Sequence, residues 1–145
     1  MEKEQLNTFD KELLLKDLCS RIPYGVKMNH IADEEICPLT LVGVAKDMIT
    51  LQGGGGYACT CVEDYKPYLF PPSSMTEAQQ EEFDRIYADD MQVVANNLKN
   101  RLDGKPYETN LGHYRHIDWL NANHFDYRGL IPMGLAEDAT DKNIY

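Results

Sequence analysis

The stretch Tyr68–Phe83, YLFPPSSMTEAQQEEF, separates two kinds of periodicity in the chain. Pro71 and Pro72 cannot donate to a sheet ladder, so they stop the apolar run that reaches Phe70. Thr76, followed three residues later by Gln79, reads as a capping box, and Glu77, Glu81 and Glu82 sit where a helix N-terminus favours negative charge. Strands are therefore expected before this point and helices after it.

Downstream, Phe83, Tyr87, Met91, Val94, Leu98 and Leu102 recur at close to four-residue spacing, which predicts one long amphipathic helix. Asp103-Gly104, with Pro106 just beyond, supplies its stop. A shorter helix is expected from about His113 to Asn123, then a turn at Tyr127 to Gly129 and an irregular tail.

Upstream, from Tyr24 to Phe70, the runs YGVKMNH, CPLTLVGV, DMITLQ, YACTCV and KPYLF are short, β-rich and broken by polar or glycine segments. Before them, Leu6, Phe9, Leu13, Leu14, Leu18 and Ile22 form the stripe of a helix that Asn7 or Thr8 caps and Pro23 ends. The expected fold class is α+β in a single domain: an N-terminal helix over 1–22, a five-stranded antiparallel sheet or SH3-like β-barrel over 24–70, and a helical part with an ordered tail over 76–145.

The 145 residues are 43% hydrophobic and 26% charged, ordinary values for one domain that folds on its own core. The net charge of −10 repels phosphate backbones and anionic membranes, so direct nucleic-acid or membrane binding is not expected. The same charge leaves open an acidic mimic of nucleic acid. The opening MEKEQLNTFDKELLLKDLC has no long apolar run, which predicts neither a secretory signal nor a membrane span and places the chain in the cytoplasm. Cys19, Cys37, Cys59 and Cys61 are then expected to be free and packed.

No catalytic pattern is completed. The run Gly53–Gly56 leads into a strand with no Lys-Ser/Thr following, so it reads as a hairpin tip and not a phosphate loop. Cys59 and Cys61 share a strand face, but one intervening residue is not structural-zinc spacing; two small side chains facing the core account for them, and neither a metal nor a cofactor is expected. His113, His116 and Asp118 complete no zinc-protease pattern and read as exposed decoration, with Tyr114, Ile117, Leu120 and His124 on the core side. Ser73 and Ser74 lack a nucleophile elbow and Ser20 lies in a helix, while Glu81-Glu82 and Asp89-Asp90 are neighbours that point apart.

The strings LLLKDLCSRIPYGVK, YKPYLFPPSSMT, IDWLNANHFDYRGLI and GLAEDATDKNIY resemble those of a small, uncharacterised family of gut Bacteroides-type bacteria and their phages or prophages. The family has no assigned activity. The resemblance implies a context, a cytoplasmic accessory protein that a phage or prophage encodes, and it carries no site residue over.

Two classes of function follow. The first is a non-catalytic protein-binding accessory factor that modulates a host or phage enzyme, using its acidic surface and the segment Tyr65–Pro72, with Tyr65 and Tyr68 as contacts and Asp126 with Arg128 as an exposed recognition pair. The second is a small enzyme with its site between barrel and C-terminal helices, drawing on His113, His116, His124, Asp118 or a cysteine. Trp119, Leu120, Phe125, Tyr127, Leu130 and Ile131 favour the first, as bulk that folds the tail onto a core.

Overall fold

A computed structural model describes residues 6–33, 35–105 and 114–145. The fold is α+β, and the chain divides into two compact units, Met1–Ser74 with His124–Tyr145 and Met75–Asn123. Among the described residues no helix is long and apolar enough to cross a membrane.

The first unit begins with α1 (Thr8–Arg21), capped by the Asn7 side chain, which accepts the Asp10 N–H at 2.8 Å. A 3-10 turn at Ile22–Tyr24 ends on Gly25 at φ 69°, a left-handed conformation that suits glycine. Five strands follow: β1 (Lys27–His30), β2 (Leu39–Ala45), β3 (Met48–Gly53), β4 (Gly56–Cys61) and β5 (Tyr65–Leu69). A sixth, β6 (Glu137–Asp138), comes from the tail and pairs parallel to β5.

The order β4-β3-β2-β1-β5-β6 is an open sheet, not an SH3-like barrel. Closure would need β4 to meet the far edge, and the tail strand β6 occupies that edge. The glycine run forms the β3–β4 hairpin tip: Gly54 and Gly55 both have positive φ, 58° and 84°, as a two-residue turn between right-twisted strands requires.

The core lies on one sheet face. Leu14 and Leu18 of α1 meet Val26, Met28, Leu41, Ile49, Leu51, Val62 and Leu69, and the tail adds Leu130, Leu135 and Ala136. Each fully buried leucine or isoleucine stabilises the unit by about 1.5–3 kcal/mol.

Strand register corrects the reading of the cysteines. Ile49 opposes Thr60 and Leu51 opposes Ala58, so those four share the core side, and Cys59 and Cys61 point to the other face. All four cysteines are free, as expected, but all four are exposed where packing was anticipated.

The second unit contains α2 (Glu77–Leu102) and α3 (Arg115–Ala122). The capping box is complete: Gln79 N–H donates to Thr76 Oγ1 at 3.2 Å and Thr76 N–H to Gln79 Oε1 at 2.9 Å. Gly104, at φ 67°, lies just past the helix end. His113, expected at the start of α3, lies outside the described residues.

Candidate functional site

Two polar clusters are built into the molecule, one in each unit. In the first, Asp17 and Arg21 stand four apart on the buried face of α1, and Arg21 Nε donates to Asp17 Oδ2 at 2.7 Å while Nη2 reaches Oδ1 at 3.2 Å. Arg21 Nη2 also donates to the Phe125 carbonyl at 2.7 Å, and Arg128 Nη1 reaches the same Asp17 carboxylate at 2.9 Å. Both guanidiniums also meet the Tyr127 ring, with Arg21 Cζ 5.1 Å and Arg128 Cζ 4.9 Å from its centre. A carboxylate with no exposure thus ties the tail to α1.

The expected contact residues belong to this architecture. Asp126 is buried and accepts Leu130 N–H and Ile131 N–H, each at 2.9 Å, closing the turn that the sequence placed here. Its neighbour two residues on, Arg128, is half-buried and engaged with Asp17, so the two do not present an exposed pair. Tyr68 is buried in β5 with its carbonyl accepting the Tyr145 hydroxyl at 2.7 Å, and burial with Glu137 nearby pushes its phenol up. Tyr65 is half-buried, edge-on to His30 at 4.9 Å, and burial with Asp33 and Asp64 likewise raises its phenol. The Tyr/Pro-rich segment is therefore a strand paired on both sides, by β1 and β6.

His124 stacks on Tyr145 at 3.6 Å between ring centres. Burial, with Arg21 and Lys27 adding positive charge, pushes this imidazole down to about 4, so it is neutral at physiological pH. Burial also drives the Tyr145 phenol well above its ordinary range, with the Lys27 N–H and Arg21 opposing in part.

In the second unit the cluster is an acid and an imidazole. Asp90 is buried and His116 nearly so; Asp90 Oδ2 accepts the His116 backbone N–H at 2.8 Å and lies 2.6 Å from Nδ1. Arg115 Nε donates to Oδ1 at 3.3 Å. Burial pushes the Asp90 carboxyl up, but the two His116 hydrogen bonds and Arg115 outweigh it and hold the group below its usual range. The histidine expected as exposed decoration is inside, whereas Tyr114, expected on the core side, is exposed. Asp118 is exposed as expected.

A carboxylate-oriented imidazole is also the base of a catalytic triad, but the rest of a triad is missing here. Among the described residues no hydroxyl or thiol bonds the His116 ring, which instead meets Tyr87 edge-on at 5.2 Å and Phe83 at 6.3 Å. His124 belongs to the other unit. An open depression on α2 is lined by Ala78, Glu81, Glu82 and Arg85 and holds no histidine. Among the described residues no three His, Cys, Asp or Glu side chains come together to hold a metal.

The largest departure from the expected packing is α2 itself. In helical projection Asp90 falls inside the apolar arc, between Ile86 and Phe83, and it is the one residue of the helix that is buried. Tyr87, Leu98 and Leu102, expected to face a core, are 46%, 59% and 87% exposed. Length explains the two leucines, whereas Tyr87 meets the His116 ring and is still partly exposed. At 1.5 Å per residue α2 spans about 39 Å and α3 about 12 Å, and the contacts of α3 fall on Phe83, Tyr87 and Asp90. Leu98 lies two turns beyond Asp90 and Leu102 three.

Comparison with protein families, with curated proteins and with solved structures gives no match.

Proposed function

We propose that this chain is a non-catalytic accessory protein that acts by binding another protein, and that the C-terminal half of α2 is the surface it presents. One observation carries the reading: a 26-residue helix buries a single side chain and leaves Leu98 and Leu102 outward. An apolar stripe at i, i+4 spacing on a stable helix is the form in which one protein docks into the groove of another.

The partner is a protein with an apolar groove and a basic rim, because the chain carries a net charge of −10 and long-range attraction would steer such a surface onto it. A host or phage enzyme in the cytoplasm fits the context that the family resemblance implies. Glu81, Glu82 and Asp89 lie on the polar side of α2, away from the apolar arc. Solvation of an amphipathic helix accounts for them without mimicry of nucleic acid. The enzyme reading keeps one observation in its favour, the orientation of His116 by Asp90, and lacks a reacting partner for that imidazole.

A photo-crosslinking residue at position 98, with one at exposed Lys46 as control, tests the proposal in the native host. The expected result is an adduct with a basic protein from position 98 alone, and loss of co-purification of that protein in Leu98→Lys/Leu102→Lys. Equal adducts from both positions, or undiminished co-purification of the double variant, would refute it.

A further inference from the structure

The outer face of the β3–β4 hairpin gathers sulfur. Cys59 and Cys61 stand two apart on β4, so their side chains leave the same face, and both are exposed. Met48 pairs with Cys61 in the β3–β4 register, and its Sδ lies 3.9 Å from Cys61 Sγ. Thr50, paired with Cys59, directs its hydroxyl to Cys59 Sγ at 4.0 Å.

We infer that Met48, Cys59 and Cys61 form a surface site for a soft monovalent cation, copper(I). Thiolate and thioether sulfur select copper(I), which accepts two or three ligands, whereas a structural zinc ion requires four. Three sulfurs around one ion at metal–sulfur distances of about 2.3 Å stand about 4 Å apart in a trigonal plane. The Met48–Cys61 pair already has that separation. The Cβ atoms of Cys59 and Cys61 are about 6.7 Å apart along the strand, and rotation about both χ1 angles brings the sulfurs within the same reach.

Binding displaces one proton from each thiol to solvent, and copper enters and leaves as copper(I) with no change of oxidation state. Two thiolates, one thioether and the ion carry one net negative charge. Exposure of the site at the sheet edge lets a thiol carrier hand the ion over by ligand exchange.

Anaerobic titration of the full-length chain with copper(I), against a chromogenic copper(I) chelator, tests the site. The wild type should take up one equivalent in the high-affinity step, with X-ray absorption showing an all-sulfur shell. Cys61→Ser should weaken binding by about a hundredfold or more and Met48→Leu by about tenfold, while Cys19→Ser and Cys37→Ser leave it unchanged. These four cysteines and Met48 are all exposed, so circular dichroism should show every variant folded. Undiminished binding in Cys61→Ser would overturn the site, as would a Cys37→Ser defect of equal size. An affinity and absorption spectrum unaltered by Met48→Leu would overturn the three-sulfur assignment.

Discussion

The two units place their apolar bulk in opposite ways. In the sheet unit, Leu14, Leu18, Leu41, Ile49, Leu51 and Leu69 are at most 1% exposed, and the buried charges come with partners, Asp17 with Arg21 and Asp126 with two backbone N–H groups. In the helical unit the two most buried residues are polar, Asp90 and Asn121, His116 is buried beside them, and Leu120 is the one buried aliphatic among the described residues, while Leu98 and Leu102 face outward. A core that excludes water makes a scaffold. A helix held in place by a buried acid and an imidazole keeps its leucines available for another surface.

Breaking the tail clasp of the sheet unit should have the largest effect. Asp17→Ala leaves the fully buried Arg21 guanidinium without its counter-charge and removes the anchor of Arg128, so urea unfolding should show a loss of about 3–5 kcal/mol. A loss under about 1 kcal/mol would mean that the Asp17 ion pairs contribute little to holding the tail.

The corresponding lesion in the helical unit should be smaller and local. Asp90→Ala leaves His116 without its acceptor at about 1–3 kcal/mol, read as faster amide hydrogen exchange over Arg115–Ala122 with the strands β1 to β3 unaffected. Because the folded Asp90 carboxyl lies below its ordinary 3.8, the contribution of the clasp is complete above that pH and is lost as pH falls through the depressed folded value. Acid should therefore loosen α3 below about pH 4 in the wild type and not in the variant.

A milder effect belongs to His124. Its folded value of about 4 lies below the ordinary 6.5, so as pH falls between those values the unfolded chain takes up a proton that the folded chain refuses. Stability of the sheet unit should be level above pH 6.5 and decline toward pH 4. His124→Asn tolerates the φ of 62° and should flatten that slope; a slope unchanged in the variant would assign it to other groups.

The sequence shows where each helix begins because caps are local: Asn7, Thr76 and Gln79 act within four residues. It shows the antiparallel runs by their β-rich segments, and the hairpin tip by its glycines. What stayed hidden depends on distant partners. Asp89-Asp90 reads as a solvated pair, and only its place within the apolar arc of α2 signals that Asp90 turns inward to a histidine 26 residues away. β6 is two acidic residues with no strand signature, and pairing with β5 creates it. On β4 the bulkier face, Tyr57, Cys59 and Cys61, reads as the core side, and the register against Ile49 and Leu51 puts it outside. The stripe of α2 was legible as a stripe, but periodicity does not tell what covers it.

The smallest effect on stability is also the most direct test, because it asks whether that stripe is surface. Leu98→Lys/Leu102→Lys should unfold within about 2 °C of the wild type, with unchanged helix content by circular dichroism, since substitutions at exposed positions stay within about 0.5 kcal/mol. A fall of about 8 °C or more, the size expected when lysine is forced into a core, would show that these leucines are interior and would contradict the division of roles between the two units.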